Sequence, residues 1–273
     1  MQWDFATNGF VHVCGHRGHS VGAPENTVAA FLATRAHGGT TAEIDTVLTA
    51  DGEIVLMHDL SVDRTTDGSG IVADIPLEAI RQLDAGGWFA PAFAGEPVLT
   101  LTEALAVARD LDLGFEVEIK ERRNLPHYAK RLAEVLEDPA DRARVMMISF
   151  DHVSLRWLKT QIPGITTGGI VHARHGDPVQ VAVSARLDEL CIDLSVWDAG
   201  NAMRLHEAGV VNRCHAYSPT VIERITLAGL DPRPSLKDAL AAGAIDTLSS
   251  DDVGWVAALV AEAGVAPPRD IDA

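Results

Sequence analysis

Two histidines stand directly after short apolar stretches of the kind that form β-strands. His16 follows FVHVCG, and His58 follows EIVLM. An imidazole gains and loses a proton near neutral pH, so two of them can serve as a general base and a general acid. Arg17 comes next to His16 and adds a guanidinium, which binds oxyanions through two parallel hydrogen bonds. A His-Arg pair by itself is more typical of a basic surface turn, so its meaning depends on the rest of the chain.

Carboxylates recur at alternate positions of two further strand-like stretches. Glu43 and Asp45 lie two apart in EID, and Glu116, Glu118 and Lys120 have the same spacing in EVEIK. Residues two apart leave the same face of a strand. Burying three or four carboxylates together is prohibitive without cations, so we expect a divalent metal with oxygen ligands, Mg²⁺ or Ca²⁺. Zinc is disfavoured because no HxxxH or cysteine pair accompanies the carboxylates.

Taken together, these groups predict in-line displacement at phosphorus. One histidine would remove the proton of the nucleophile, and the other would protonate the leaving oxygen. Arg17 and Lys120 can hold the non-bridging phosphate oxygens, and the metal would neutralise the charge that develops on them.

The elements that must position these residues alternate regularly between strand and helix. Strict βα alternation predicts a parallel sheet, and eight strands in a chain of 273 residues predict closure into a (β/α)8 TIM barrel. An open doubly wound sheet is the alternative, but no GxGxxG follows the first strand. In a barrel, catalytic groups gather at the C-terminal ends of the strands. The predicted strands are 11–15, 41–48, 113–119, 145–149, 167–171, 189–193, 210–215 and 245–248.

One long segment interrupts this rhythm. A short extra strand follows the second strand, and residues 58–97 then lead to the next helix. Loops of this length are usually functional or carry small structure of their own. We therefore expect a single domain over 1–273 with a small insertion subdomain at 58–97, and a loose tail at 267–273.

Composition narrows the partners. The net charge of −17 argues against nucleic acid and against stable association with an anionic membrane. A small anionic substrate must therefore be attracted by local cations or by a metal. Cys14, Cys191 and Cys214 have no CxxC spacing, which predicts buried thiols. The N-terminal residues lack a signal-peptide pattern and no window reaches about 18 apolar residues, so we expect a cytoplasmic protein. The oligomeric state stays open.

Six motifs give the chain a resemblance to the glycerophosphodiester phosphodiesterase family. They are HRG at 16–18, PENT at 24–27, EID at 43–45, TADG at 49–52, HD at 58–59 before DRTTDGSG, and EIK at 118–120. One such motif is weak, but six in the family's order are specific. The resemblance is dense from residue 13 to about residue 70 and fades after 150. Glu25 and Asn26 of PENT are expected to cap the first helix and brace the His16 loop.

The resemblance implies a TIM barrel with a small insertion after the second strand. It also implies hydrolysis of glycerophosphodiesters to glycerol 3-phosphate and an alcohol, a reaction of lipid and glycerol metabolism. The residues it assigns are the metal ligands Glu43, Asp45 and Glu118, the acid/base pair His16 and His58, and the phosphate contacts Arg17 and Lys120.

The chain departs from the family pattern at positions that could shape a substrate pocket. Glu116 adds a carboxylate to the inward face of its strand, and the late strands bring His215 and Tyr217 to the mouth. Trp197, after the sixth strand, is also placed to line a wall. A different phosphodiester is therefore an open alternative, including a lysolipid cleaved by a phospholipase D-like lyase that releases a cyclic phosphate. A barrel that binds a phosphodiester without cleaving it is the alternative from a different class.

Overall fold

All eight predicted barrel strands form. The computed structural model describes residues 1–266, so the predicted tail lies outside the described residues. Within them the chain has nine strands, of which the third is the short extra one. The strands are β1 (His12–His16), β2 (Thr41–Leu48), β3 (Ile54–Leu56), β4 (Gly114–Ile119), β5 (Val145–Ser149), β6 (Thr166–Val171), β7 (Glu189–Asp193), β8 (Val211–His215) and β9 (Thr247–Ser250).

Eight of these strands are parallel and close into a ring. Around it the order is β1, β2, β4, β5, β6, β7, β8 and β9, and β1 pairs with both β2 and β9. Cys14 lies opposite Thr41 on one side and opposite Ser249 on the other. β3 pairs antiparallel with β2, outside the ring. The prediction of a (β/α)8 TIM barrel is confirmed, and the open sheet is excluded.

Helices connect the strands and cover the outside of the barrel. Short capping contacts fix where several of them begin: Thr27 accepts a hydrogen bond from the backbone of Ala30, and Thr100 and Glu103 form a capping box. Over residues 1–266 the helices are α1 (Phe5–Asn8), α2 (Val28–Ala36), α3 (Leu77–Ile80), α4 (Leu101–Leu111), α5 (Leu125–Val135), α6 (Pro139–Ala143), α7 (His152–Gln161), α8 (Pro178–Ala185), α9 (Ala199–Glu207), α10 (Pro219–Leu227), α11 (Arg233–Ala241) and α12 (Val253–Glu262). None of these helices is long and apolar enough to cross a membrane.

Alternation along the strands separates the hydrophobic core from the barrel interior. In β2, Ala42 and Ile44 join the core between sheet and helices, whereas Glu43 and Asp45 belong to the opposite, inward face. All eight residues of β2 are buried, so both faces are covered. The carboxylates therefore stand inside the barrel, as the spacing predicts.

The last strand starts two residues later than its apolar pattern suggests. Ile245 lies in the core cluster packed against α11 and α12, and the backbone of Asn212 donates a hydrogen bond to Asp246 before the strand begins. The strand then runs to Ser250, which brings the following residue, Asp251, to the mouth of the barrel.

The insertion at 58–97 packs against the face of β2 and β3 that carries Val47 and Val55. Two short 3-10 turns and α3 are its regular elements within the described residues. A separate apolar cluster joins it to the barrel, formed by Val47, Val55, Met57, Val62, Val72, Ile80, Ala85 and Val98.

Candidate active site

A cavity of about 340 Å³ opens at the C-terminal ends of the barrel strands. Six of the seven residues that the sequence assigns to chemistry line it, from four separate parts of the chain. These six are His16, Arg17, Glu43, His58, Glu118 and Lys120. The seventh, Asp45, is fully buried directly behind them.

Glu43, Asp45 and Glu118 form a compact group of carboxylates. One oxygen from each lies within 4.8 Å of the others, which is a spacing that a metal ion could bridge. All three side chains are at least nine-tenths buried. The parallel register explains the cluster, because Asp45 on β2 lies opposite Glu118 on β4.

Two cations stand against this cluster. Lys120 Nζ lies 2.8 Å from Glu118 Oε1 and 3.2 Å from Asp45 Oδ1, and Arg17 Nε lies 3.2 Å from Asp45 Oδ2. Two positive charges thus face three carboxylates. Burial and the charges of Asp45 and Glu118 raise the pKa of Glu43 well above its usual range. Glu43 Oε1 is buried and has no hydrogen bond from any of residues 1–266, so this side of the cluster fits a further cation.

The loop after β1 delivers both His16 and Arg17. Arg17 adopts a left-handed conformation with φ of 58°, and its backbone N–H donates to Glu43 Oε2 at 3.0 Å. Asn26, also left-handed, donates to Asp45 Oδ2 at 3.0 Å, so PENT braces the metal-ligand candidate Asp45. The helix cap itself is Thr27 and not Glu25 or Asn26, which corrects that part of the expectation.

Each of the two predicted acid/base histidines is held by a carboxylate. His16 Nδ1 lies 2.6 Å from Asp251 Oδ1, and its Nε2 lies 3.8 Å from Glu43 Oε2. His58 Nδ1 lies 2.6 Å from Asp59 Oδ1. Asp59 adjoins its histidine in the HD motif, whereas sequence reasoning missed Asp251, which is 235 positions from His16. The sequence signal for Asp251 is its place three residues after the predicted end of the last strand.

The late strands supply the opposite wall of the cavity. His215 and Tyr217 line it as expected, together with Asp193, which accepts a hydrogen bond from the Tyr217 hydroxyl. The His215 ring lies 5.0 Å from the ring of His16. Burial, aided by the nearby charges of His16 and Arg213, lowers the pKa of His215 to about 3, so its ring is neutral.

Two residues expected in the pocket wall lie elsewhere. Glu116 is two positions before Glu118 and therefore about 6 to 7 Å deeper in the barrel. It is fully buried and forms an ion pair with Arg213 from across the barrel. Trp197 packs against the hydrophobic core and is not among the lining residues of the cavity. Instead Arg213, which sequence reasoning missed, contributes to the lining.

The known proteins that this chain resembles are phosphodiesterases. The model of the glycerophosphoryl diester phosphodiesterase family matches residues 16–226. A glycerophosphodiester phosphodiesterase of Caldanaerobacter subterraneus is 39% identical over 172 residues, which are 63% of this chain and 71% of the relative. Human glycerophosphodiester phosphodiesterase 1 is 41% identical over 112 residues, 40% of this chain and 34% of that one. The structure of an Oleispira antarctica phosphodiesterase in complex with the product sn-glycerol-3-phosphate has 27% identity and a TM-score of 0.77, covering 94% of this chain and 99% of that chain.

Proposed function

The chain belongs to the glycerophosphoryl diester phosphodiesterase family and is a phosphoric diester hydrolase, and from that premise we propose that it uses a divalent metal and two histidines to release glycerol 3-phosphate and an alcohol. The observation that carries the proposal is the cavity at the barrel mouth, which gathers two histidines, two cations and buried carboxylates. The Oleispira relative holds sn-glycerol-3-phosphate as its product. We propose the same product for this chain.

His16 and His58 are the proposed acid/base pair. Because a carboxylate accepts the Nδ1 proton of each ring, Nε2 is the nitrogen that remains for proton transfer. One imidazole removes the proton of the attacking hydroxyl or water, and the other, protonated, donates to the leaving oxygen. The attacking group is either a water or the glycerol hydroxyl next to the phosphate, and these differ in whether a cyclic phosphate forms.

Glu43, Asp45 and Glu118 are the proposed ligands of Mg²⁺ or Ca²⁺. The donor set is entirely carboxylate oxygen, which suits a hard cation. The buried Glu43 Oε1, which accepts no hydrogen bond from residues 1–266, supports the fit, and so does the raised pKa of Glu43 beside Asp45 and Glu118. Such an ion, when bound, supplies a positive charge that stabilises the phosphoryl oxygens as charge develops on them.

Arg17 and Lys120 are the proposed phosphate contacts. Both line the cavity with partly exposed side chains. Neighbouring carboxylates hold both cations in place, and this removes part of the entropy cost of ordering them around a substrate. They also provide local positive charge in a protein whose net charge is −17.

The alcohol is proposed to lie against the wall that contains His215 and Tyr217. Asp193 lies in this wall as the proposed contact of the alcohol. Burial acts to raise the pKa of Asp193, but hydrogen bonds from Tyr217 and Ser195 outweigh burial and lower that pKa. The carboxylate is therefore ionised at neutral pH. This wall accepts hydrogen bonds from the hydroxyl or amino groups of a leaving alcohol.

Product analysis with and without metal tests these roles. Metal-stripped protein is incubated with sn-glycero-3-phosphoethanolamine, and phosphorus NMR follows the products after addition of Mg²⁺, Ca²⁺ or EDTA. We expect glycerol 3-phosphate in the presence of either or both metals, and none with EDTA. Unchanged turnover in EDTA would contradict the metal role. A persistent cyclic phosphate would identify a lyase instead of a hydrolase.

We further propose that the chain works as one domain, with 58–97 as a subdomain of the barrel. The shared apolar cluster around Val72 and Ile80 supports this, because it joins the two parts without a linker. A small-molecule phosphodiester is the proposed partner, with no nucleic acid and no stable membrane association. The three cysteines are free and buried, which agrees with a proposed cytoplasmic location.

A further inference from the structure

Arg64, in the insertion, makes paired hydrogen bonds to two carboxylates at once. Its Nη1 and Nη2 donate to Glu25 at 2.7 and 2.8 Å. Its Nε and Nη2 donate to Asp59 at 2.6 and 3.3 Å. A guanidinium carries five N–H donors in one rigid plane, so a single side chain can make paired hydrogen bonds to each of two carboxylates, whereas the three donors of a lysine ammonium cannot.

Both carboxylates also hold a side chain of the cavity. Asp59 Oδ1 accepts the hydrogen bond from His58 Nδ1 at 2.6 Å, and Glu25 Oε1 accepts one from Arg17 Nη1 at 3.1 Å. His58 and Arg17 line the cavity, whereas Arg64 is not among its lining residues. Arg64 thus stands behind two cavity side chains and contacts each through one intermediate.

We propose that Arg64 is a positioning residue that fixes His58 and Arg17 relative to each other through Asp59 and Glu25. The inference rests on the proposed roles of His58 and Arg17. His58 follows β3 and Arg17 follows β1, and the hydrogen bonds of Arg64 connect these two segments. A proton-transfer group and a phosphate contact must act on the same phosphodiester, and an error of about 1 Å in such an arrangement can cost about 100-fold in rate.

The charges of Asp59 and Glu25 agree with this role of Arg64. Hydrogen bonds from Arg64, together with that of His58, lower the pKa of Asp59 to about 2 although burial opposes them. Burial acts to raise the pKa of Glu25, but Arg64 and Arg17 outweigh it and keep that pKa below its usual value. Both carboxylates are therefore ionised acceptors at neutral pH, which makes their hydrogen bonds strong and directional.

A role in fold stability alone is the competing explanation. The Arg64 side chain is 42% exposed, and ion pairs at such positions contribute little to stability. Arg81 offers a matched control in the same insertion, because its Nη2 donates to Glu103 at 2.8 Å and its side chain is 48% exposed. Neither Arg81 nor Glu103 lines the cavity described above.

The test compares Arg64→Gln and Arg64→Lys with Arg81→Gln, using sn-glycero-3-phosphoethanolamine as substrate and thermal unfolding as the check on folding. We expect Arg64→Gln to lower kcat/KM by about 10- to 100-fold, the usual effect of removing a group that orients a functional side chain. Arg64→Lys keeps the charge and should recover little of the loss. Arg81→Gln should stay within about twofold of the wild type.

The single variants of the two intermediates separate positioning from folding. Asp59→Asn should act mainly on kcat, because His58 handles the reacting proton, and Glu25→Gln mainly on KM, because Arg17 contacts the phosphate of the bound substrate. Combining either variant with Arg64→Gln should cost less than the product of the single losses.

Three outcomes would overturn the inference: wild-type kcat/KM in Arg64→Gln, full rescue by Arg64→Lys, or losses that multiply in the double variants. If Arg64→Gln does not fold, Arg64→Lys and the two carboxylate variants decide in the same way. A wild-type protein that cleaves no glycerophosphodiester would instead overturn the proposed function, and the inference with it.

Discussion

The two cavity histidines reach the same arrangement by different routes. His58 takes its carboxylate from the next residue in the chain, so the HD motif alone provides the pair. His16 takes Asp251 from beyond the last barrel strand, so its partner exists only once the barrel has closed. In both cases the carboxylate selects the Nδ1–H tautomer and stops rotation of the ring, leaving Nε2 as the reactive nitrogen.

At the scale of single residues, replacing either histidine should stop the chemistry and leave the fold intact. We expect His16→Ala and His58→Ala to lower kcat by about 10²- to 10⁴-fold, because each removes one proton-transfer partner. His37→Ala is the control, since His37 is exposed and stacks on His19 away from the cavity. Steady-state kinetics measure the effect, and near wild-type turnover in either variant would contradict the acid/base assignment.

Single residues also mark how far sequence reasoning reaches. Alternation places Glu43 and Asp45 inside the barrel because their spacing of two is enough to fix a strand face. It cannot find the Glu116–Arg213 ion pair, because which residues meet across a barrel depends on the stagger of its strands. The expectation that Glu116 lines the pocket is wrong for this reason: the residue spacing predicts that Glu116 faces inward, but not how far below the cavity it lies in the barrel.

At the scale of elements, the loop between β1 and α2 combines two demands in adjacent residues. Arg17 is left-handed with its N–H on Glu43, and Gly18 follows with φ of 83°. A Cβ at Gly18 would lie 2.6 Å from the Cβ of Ala30 in α2, so only glycine lets the loop lie this close to the helix. The glycine of HRG therefore serves the placement of its neighbours.

We expect Gly18→Ala to reduce both stability and activity. Left-handed strain and the contact with Ala30 should together lower the free energy of unfolding by about 1 to 3 kcal/mol, and displacement of Arg17 should lower kcat/KM. Gly209→Ala is the matched control, because Gly209 has φ of 75° but no atom of the described part of the chain lies within 4 Å of the added Cβ. It should lose stability alone. If both variants, assayed under native conditions, had the same kcat/KM, the loop would have no role in placing Arg17.

A second element-scale prediction concerns the end of α9. His206 Nε2 lies 2.6 Å from Asp246 Oδ2, and this hydrogen bond and charge raise the pKa of His206 despite its partial burial. Because the pKa of His206 is higher in the folded protein, its protonated ring stabilises the fold. This contribution is complete below the unfolded pKa of about 6.5 and is lost as pH rises through the folded pKa. In urea unfolding, the free energy of unfolding of His206→Gln should be lower than that of the wild type, and this difference should shrink as pH rises through that range. A difference independent of pH would show that the imidazole charge contributes nothing.

Elements were more predictable than their ends. The apolar runs predict all eight barrel strands because each strand of a barrel is covered on both faces. The start of the last strand differs from the prediction because Ile245 is apolar for the packing of the helices and not for the sheet. The arrangement of 58–97 could not be read from periodicity either, because it is built from short turns around a shared cluster.

For the molecule as a whole, the negative charge has opposite consequences for its two proposed ligands. At −17 the protein attracts divalent cations and repels an anionic phosphodiester. The cavity concentrates the first effect in Glu43, Asp45 and Glu118 and offsets the second with Arg17 and Lys120. A bound cation would therefore relieve repulsion within the folded protein and reduce repulsion of the substrate together.

Global stability should report that relief. Addition of Mg²⁺ or Ca²⁺ at 100 times its Kd should stabilise the wild type by about 2.7 kcal/mol and raise its Tm by several degrees. Glu43→Gln removes a buried carboxylate whose pKa is raised, so the metal-free variant should melt above the metal-free wild type and lose the response to metal. Glu189→Gln is the control, because Glu189 is also buried with a raised pKa but lies outside the carboxylate cluster. It should melt higher and keep the response to metal. An equal metal-induced shift in both variants would mean that the cation binds at a site other than Glu43.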